Sequence, residues 1–528
     1  MTSESESEGE RYFQSRAHFR EEHGSIKKMD VMEEYDKNPD ETLRALSSAS
    51  VDMGIYNIPC AYDLQGYPSA SHYNKIVSVY GTVMKLGLSK FKVAGGAKTD
   101  YQEIKIQERS TVYLPRTINV QLFGALIGAC KPGEVVRVTG CVEVLWRKAK
   151  LGQPVNCEYS IRALEISQQK PRNKGKQLEL PESEYDLLMK VVDAYAPSLA
   201  GLRQSKLAMV LCTLGGQGCA KDTEREEGSI TTEQMYQDSQ SRNRTSSHIL
   251  LVGRTGTGKS TLLAFAAKTV SPAICTTGNS CTSAGLTACA TRENNDWMIE
   301  PGAIPQADKG LCCIDEFNAL RKEEKSSILE AMEQQTITIA KAGILLKLDT
   351  RCTVVGAARH CTEPEGALQS LKLSAPLLSR FDLIVGLDDA LATDREIAEK
   401  NIEKKGEERC AMFIRDLLEE RKKIRVKLTG ACKEVIEAYY SRQKEENNVS
   451  IRALESHMRL CEAYAKLLGR CEAGRRDGLM TALLLNSCLH TKKLWSYTLD
   501  GVIGSRALLE SALDYIGSDL LGESACEV

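Results

Sequence analysis

The sequence predicts an α/β protein in two parts, a small all-β domain followed by a doubly wound parallel sheet, and three observations carry that expectation. Between Lys75 and Ile166 lie five short β-type runs separated by Gly, Pro and Lys turns, the pattern of a small five-stranded barrel. At His248 to Leu262 an apolar run, Ile249 to Val252, leads into Gly253-Arg254-Thr255-Gly256-Thr257-Gly258-Lys259-Ser260 and then an Ala/Leu-rich helix opening with Thr261. At Gly310 to Phe317 a second apolar run ends in the paired acids Asp315 and Glu316.

A chain of 528 residues holds two or three domains, and 42% hydrophobic residues suffice for their cores. No apolar run approaches the ~18 residues of a membrane span, and the first twenty-five residues are acidic and serine-rich where a secretory leader is basic and then apolar. A cytosolic or nuclear protein is expected. Nineteen cysteines raise the possibility of zinc or disulfides, but no C-x-x-C spacing occurs, so reduced core residues are expected. The net charge of −2 hides an asymmetry: residues 1–42 carry twelve acids against six bases, residues 141–176 eight bases against three acids. A basic segment on a β domain suits a nucleic-acid backbone, with Arg147, Lys148 and Lys150 as its candidates.

Taken in order, residues 1–25 read as a disordered acidic tail, and the Leu/Met spacing after them predicts a helical segment over 26–73. The barrel, of oligonucleotide-binding (OB) type, spans 74–167. Residues 168–214 are a basic linker and helices, and 215–247 a polar insertion without apolar period. The nucleotide core is placed at 248–425, with buried strands also at Cys352 to Ala358 and Leu383 to Leu387. Thr336 to Ile339 and Ile344 to Leu348 flank an Ala-Lys-Ala-Gly turn, predicting a β-hairpin with Lys341 at its tip.

The glycine-rich stretch fits G-x-x-x-x-G-K-[ST] at every fixed position, a phosphate-binding loop in its required strand–loop–helix context. Its glycines let successive N–H groups turn toward a polyphosphate at a helix N-terminus. Residues 253–261 are thus the candidate ATP contacts, with Lys259 on the β and γ phosphates and Ser260 on Mg²⁺. Asp315, on a buried strand end, would hold the Mg²⁺ hydration shell, and Glu316 would polarise the attacking water.

Thr276 to Thr287, Gly310 to Asn318, Glu330 to Gly343 and Leu377 to Leu383 resemble the AAA+ core of the minichromosome-maintenance (MCM) DNA helicases. Asp100 to Gln107, Leu114-Pro-Arg116 and Trp146-Arg-Lys148 are most similar to the family's ninth, recombination-repair branch. The resemblance implies an AAA+ P-loop core with a helical lid, here 426–495; residues 496–528, too few for the family's usual winged-helix end, are expected as a short tail. It implies a nuclear, hexameric ring, homomeric or built with other MCM subunits such as the eighth-type paralogue, that moves along single-stranded or duplex DNA in replication or repair. Arg380 of Ser379-Arg-Phe matches the arginine finger and Arg452 of Ile451-Arg-Ala-Leu-Glu455 the second sensor, both reaching a neighbour's ATP; Lys341 would meet DNA in the channel. There are departures. The zinc module between the first two OB strands is replaced by Lys85 to Asp100, which holds no cysteine, so no zinc is expected. Arg359 stands where the family has its first-sensor asparagine, and it would meet the γ phosphate as a cation. That departure leaves an ATP-binding but structural ring subunit as an alternative to an ATP hydrolase, with another AAA+ remodeller as the third reading.

Overall fold

The computed structural model describes residues 29–30, 55–56, 62–64, 68–69, 72–73, 75–94, 97–108, 116–146, 157–168, 181, 183–199, 201–216, 244–293, 296–341, 344–360, 371, 373–387, 407–447, 449–489 and 493–521. The chain divides into two compact units. One comprises Met1–Arg172, Ala288–Gly302 and Lys341–Gly343; the other comprises Asn173–Thr287, Ala303–Ala340 and Ile344–Val528.

The first unit is built on a closed barrel. Its strands are β1 (Ile76–Gly87), β3 (Ala97–Glu108), β4 (Thr117–Phe123), β5 (Val135–Trp146) and β6 (Cys157–Gln168), with β2 (Lys90–Ala94) as an added hairpin arm on β3. Closure runs β1–β5–β6–β4–β3 and back to β1, antiparallel throughout except for the parallel β4–β6 pair. Alternate residues point inward, so Val77, Val79, Ile104, Ile106, Val120, Leu122, Val136, Val138 and Ile161 fill the interior. The register of β5 on β6 slips between Thr139 and Gly140, where a Cβ would lie 2.2 Å from the Arg162 carbonyl oxygen, so only glycine allows that corner.

The five expected barrel strands are all present, spanning Ile76 to Gln168 where Lys75 to Ile166 was expected. Three features were not expected. Between β1 and β3, Lys90–Ala94 forms the β2 arm. A hairpin of Ala288–Glu293 and Asp296–Pro301 joins the sheet through Met298 and Ile299 on β1, with Lys85 and Glu300 paired at 3.4 Å. Within 26–73 the described residues include short strands: Met29–Asp30 pairs with Ile55–Tyr56, and Tyr62–Leu64 pairs with β1. Most of 26–73, the segment expected to be helical, lies outside the described residues.

The second unit is a five-stranded, fully parallel sheet in the order β8 (Ala273–Thr277), β9 (Leu311–Asp315), β10 (Thr353–Arg359), β7 (Ile249–Gly253) and β11 (Leu383–Leu387). Central strands of such a sheet are covered on both faces, and Ile249 to Val252, Leu311 to Ile314 and Val354 to Ala358 are accordingly buried. Helices α1 (Glu184–Ala194), α2 (Arg203–Leu214) and α3 (Lys259–Thr269) contribute to one continuous core with it. The hairpin pairs Thr336–Lys341 with Ile344–Asp349; Lys341 closes its first strand, and its tip, 342–343, lies outside the described residues. Helix α4 (Lys322–Gln334) lies between β9 and this hairpin in the chain. Beyond the sheet come α5 (Glu407–Arg421), α6 (Gly430–Asn447), α7 (Ile451–Leu468) and α8 (Arg475–Asn486).

Residues 496–528, expected as a tail, instead contain a short helix, Leu499–Val502, and α9 (Arg506–Leu521). Leu509, Ala512, Leu513 and Ile516 of α9 share one face, at spacings of three and four, and are buried in the common core. Most of the polar insertion, 217–243, lies outside the described residues, as do residues 1–28.

Candidate functional site

Two clusters in the second unit gather most of the residues singled out in the sequence. The first lies at the carboxyl ends of β7, β9 and β10, where open parallel sheets place their ligands. Gly256 and Gly258 take left-handed φ values of +95° and +84°, and a Cβ on Gly258 would lie 2.8 Å from a methyl of Leu199. Glycine is therefore required for the loop to curl into the start of α3. Lys259 is buried; its Nζ donates to the carbonyls of Gly253, at 2.9 Å, and Arg254, and to Thr257 Oγ1, at 3.0 Å. Arg254, Thr255, Gly256, Ser260 and Thr261 are exposed around it.

Ser260 and Asp315, fifty-five residues apart, meet: the serine Oγ donates to Asp315 Oδ2 at 2.6 Å. Hydroxyl and carboxylate oxygens so placed are the hard donors that a Mg²⁺ ion takes, so the residues fit that ion. The other carboxylate oxygen of Asp315 accepts the Glu316 N–H at 2.8 Å, and its carbonyl accepts the Gly278 N–H at 2.8 Å. Glu316 itself has φ +52°, a left-handed conformation rare for glutamate. A Cβ on Gly278 would come within 2.4 Å of the Glu316 carbonyl oxygen, so glycine there permits the turn that swings Glu316 off the strand line. Asn279 Nδ2 then donates to Glu316 Oε2, and the Arg359 guanidinium pairs with Glu316 Oε1.

The second cluster centres on Glu333 near the end of α4. Arg380 Nε donates to Glu333 Oε2 at 2.7 Å and Arg452 NH2 to Oε1 at 2.8 Å. Partial burial would raise Glu333, but the hydrogen bond from Arg380 and the charge of Arg452 hold its carboxyl below the usual range. Arg452 also donates to Ser379 Oγ at 3.1 Å.

Behind these arginines is a buried anchor. Arg452, Ser456 and Arg459 lie at i, i+4 and i+7 on α7, hence on one face. Ser456 and Arg459 both donate to Asp382 Oδ1, the latter at 2.7 Å. Arg244 and the His248 N–H, at 2.8 Å, take the other oxygen. Burial would raise Asp382, yet the two guanidinium groups hold it well below the usual carboxylate range. His248 is buried neutral: burial and the Arg244 charge push it down to about 3. Its Nδ1 accepts the Val354 N–H at 3.0 Å, which fixes the tautomer. Phe381 stacks edge-on against Phe317, the residue after Glu316, with ring centres 5.4 Å apart.

The structure thus brings together Gly253 to Ser260, Asp315, Glu316 and Arg359 in one place, and Arg380 with Arg452 in another. Arg147, Lys148 and Lys150 lie outside the described residues, and Lys341 is placed by its backbone alone. Sequence reasoning missed Asn279, Glu333, Asp382, Arg244 and Arg459. Asn279, Glu333 and Asp382 sit inside the quoted motifs, and Arg459 follows Arg452 by two helical turns; Arg244 carried no signal.

A family model described as the MCM P-loop domain matches residues 175–405, and one described as the MCM OB domain matches residues 89–146. The protein named Probable DNA helicase MCM9 of Arabidopsis thaliana is 35% identical over 444 residues, covering 74% of this chain and 64% of its own length. Its namesake in Oryza sativa subsp. japonica is 33% identical over 438 residues, covering 75% and 62%. The Minichromosome maintenance protein MCM of Saccharolobus solfataricus is 30% identical over 419 residues, covering 72% and 58%. The chain therefore spans a little under two thirds of these relatives' lengths. With both domain types present and these relatives on record, the chain belongs to the minichromosome-maintenance family.

Proposed function

We propose that the chain is a DNA-translocating ATP hydrolase, a helicase subunit of an MCM ring working in the nucleus on repair or replication. The observation that carries this reading is the Ser260–Asp315 contact of 2.6 Å beside a glycine-built phosphate loop and a glutamate swung off the strand end. Lys259 would hold the β and γ phosphates, with the loop N–H groups around them. Ser260 and Asp315 would hold Mg²⁺, which neutralises phosphate charge when bound. Glu316 would orient the attacking water and take its proton. Arg380 and Arg452, aligned by one carboxylate, suit delivery as a pair to phosphate charge on a neighbouring subunit. Lys341, Arg147, Lys148 and Lys150 would contact DNA phosphates, and an eighth-type MCM paralogue is the expected ring partner.

A second reading is favoured by the Arg359–Glu316 pair, which occupies the water-orienting acid: a ring subunit that binds ATP and hydrolyses it poorly. ATP turnover by the purified chain, alone and with that paralogue, with and without single-stranded DNA, separates the two. Stimulated turnover supports the first reading, and binding without turnover under every condition supports the second.

A further inference from the structure

Arg359 stands between the two halves of the nucleotide site. It ends β10, the strand between the acid strand β9 and the phosphate-loop strand β7. Its Cα is in register with Gly253, the first residue of the phosphate loop, while Ile314 pairs with Gly356 on its other side. From that position the guanidinium turns to Glu316 Oε1, while Asn279 holds Oε2. Both oxygens of the acid are thus engaged by donors.

The partners differ in freedom. Glu316 is fixed by its left-handed backbone against Gly278, by its N–H on Asp315 and by Asn279, and its side chain is 21% exposed. The Arg359 side chain is 53% exposed and stands on a flexible stem. An ion pair that open to water is weakly held. A terminal phosphoryl group offers more charge and three acceptor oxygens, to which a guanidinium binds in bidentate fashion.

Building on the function proposed above, we propose that Arg359 is a γ-phosphate reader whose resting partner is Glu316. With triphosphate bound, the guanidinium passes from the carboxylate to the γ phosphoryl oxygens, and Glu316 keeps only Asn279 and becomes able to orient water. With ADP, the guanidinium stays on Glu316 and the acid is capped. The exchange makes the acid available only when there is a γ phosphate to cleave. A neutral, shorter side chain at position 359 could not perform it, because nothing would cap Glu316 Oε1 in the absence of the third phosphate.

The test compares AMP-PNP with ADP on the full chain. Binding of each is measured for wild type, Arg359→Ala and Arg359→Lys, and again in a Glu316→Gln background, where no carboxylate charge remains to repel phosphate. Arg359→Ala is expected to weaken AMP-PNP about tenfold in both backgrounds and ADP less than twofold, with Arg359→Lys in between. Structures of the two complexes should show the guanidinium on the γ phosphoryl group with AMP-PNP and on Glu316 with ADP. Equal losses for the two nucleotides, no loss, or a Glu316 pair intact in both complexes overturns the proposal and leaves the nucleotide-site reading standing. Failure of wild type to bind either nucleotide overturns both.

Discussion

Arg380 and Arg452 share one carboxylate, the first at 2.7 Å from one oxygen of Glu333 and the second at 2.8 Å from the other. Two like charges brought this close repel unless an anion lies between them, so Glu333 makes the pairing possible. Its side chain is 39% exposed, and such ion pairs add roughly 0–1 kcal/mol to stability. Glu333→Gln should therefore change the melting temperature little, yet lower turnover by the assembled ring about tenfold as the two arginines lose alignment. Thermal melts and ATP turnover of the same preparation decide it. A large loss of stability with normal specific turnover in the surviving fraction would make Glu333 a fold residue only.

The acid and the lysine of the first cluster should separate chemistry from binding. If Glu316 orients water and Lys259 holds phosphate, Glu316→Gln should bind ATP but hydrolyse it at least about tenfold more slowly. Lys259→Ala should weaken binding itself, because its ammonium is the buried cation at the loop. Equal turnover by wild type and Glu316→Gln would sink the catalytic assignment and favour the structural-subunit reading.

How much of this was legible in sequence follows from the range of the interactions involved. The phosphate loop, the acids and the central strands announce themselves locally, through glycine spacing and continuous apolar runs that only doubly covered strands need. The edge strand β8 was missed because one side of it is open, and Ala273-Ile-Cys-Thr-Thr277 is correspondingly half exposed and without a clear pattern. The hairpin over 288–301 lies some thirty residues past the loop yet pairs with β1, a register no local pattern encodes. Helix α9 was read as tail because a family comparison left too little chain there; its own spacing of Leu509, Ala512, Leu513 and Ile516 carried the signal. Asp382 was quoted as part of a motif, but its partners Arg244 and Arg459 lie 138 and 77 residues away.

Two buried neutral histidines among the described residues weaken the fold as pH falls. His248 is pushed down to about 3 and His457 to about 4, in each case by burial first. Both folded values lie below the unfolded value of ~6.5, so their contribution is complete above pH ~6.5 and is lost as pH falls toward the folded values. Each histidine adds a slope of up to about 1.4 kcal/mol per pH unit in that window. Asp382 acts only from the lower end of this window, since its depressed carboxyl begins to lose its contribution under pH ~4. His457→Gln keeps a donor for the Gly478 carbonyl, 3.2 Å from Nε2, and removes one proton uptake. Urea unfolding at pH 5 and pH 7 should show a smaller difference in this variant than in wild type; an identical difference would show that His457 is not the titrating group.

The basic residues outside the nucleotide site are tested by salt. Lys341→Ala, and Arg147, Lys148 and Lys150 changed together to alanine, should each weaken single-stranded DNA binding and flatten its dependence on salt. Each lost phosphate contact removes about one released counterion from the slope, and sequence preference should not change. An unaltered slope in both variants would place the DNA path elsewhere.

Arg380 bears on assembly. A guanidinium is always ionised and matches the charge spread over a transferring phosphoryl group, but Arg380 is engaged with Glu333 and the Pro376 carbonyl, in a cluster apart from its own Ser260, Asp315 and Glu316. An isolated chain should then bind ATP and hydrolyse it poorly. Arg380→Ala should retain nucleotide binding and lose turnover, and mixing it with Glu316→Gln should restore part of the activity, because some interfaces in a mixed ring join an intact acid to an intact arginine. Sizing the mixture confirms that rings form and exchange subunits. If wild-type turnover per chain stays constant down to concentrations at which the chain is a demonstrated monomer, the shared site is wrong, and Arg380 acts within its own subunit or not at all.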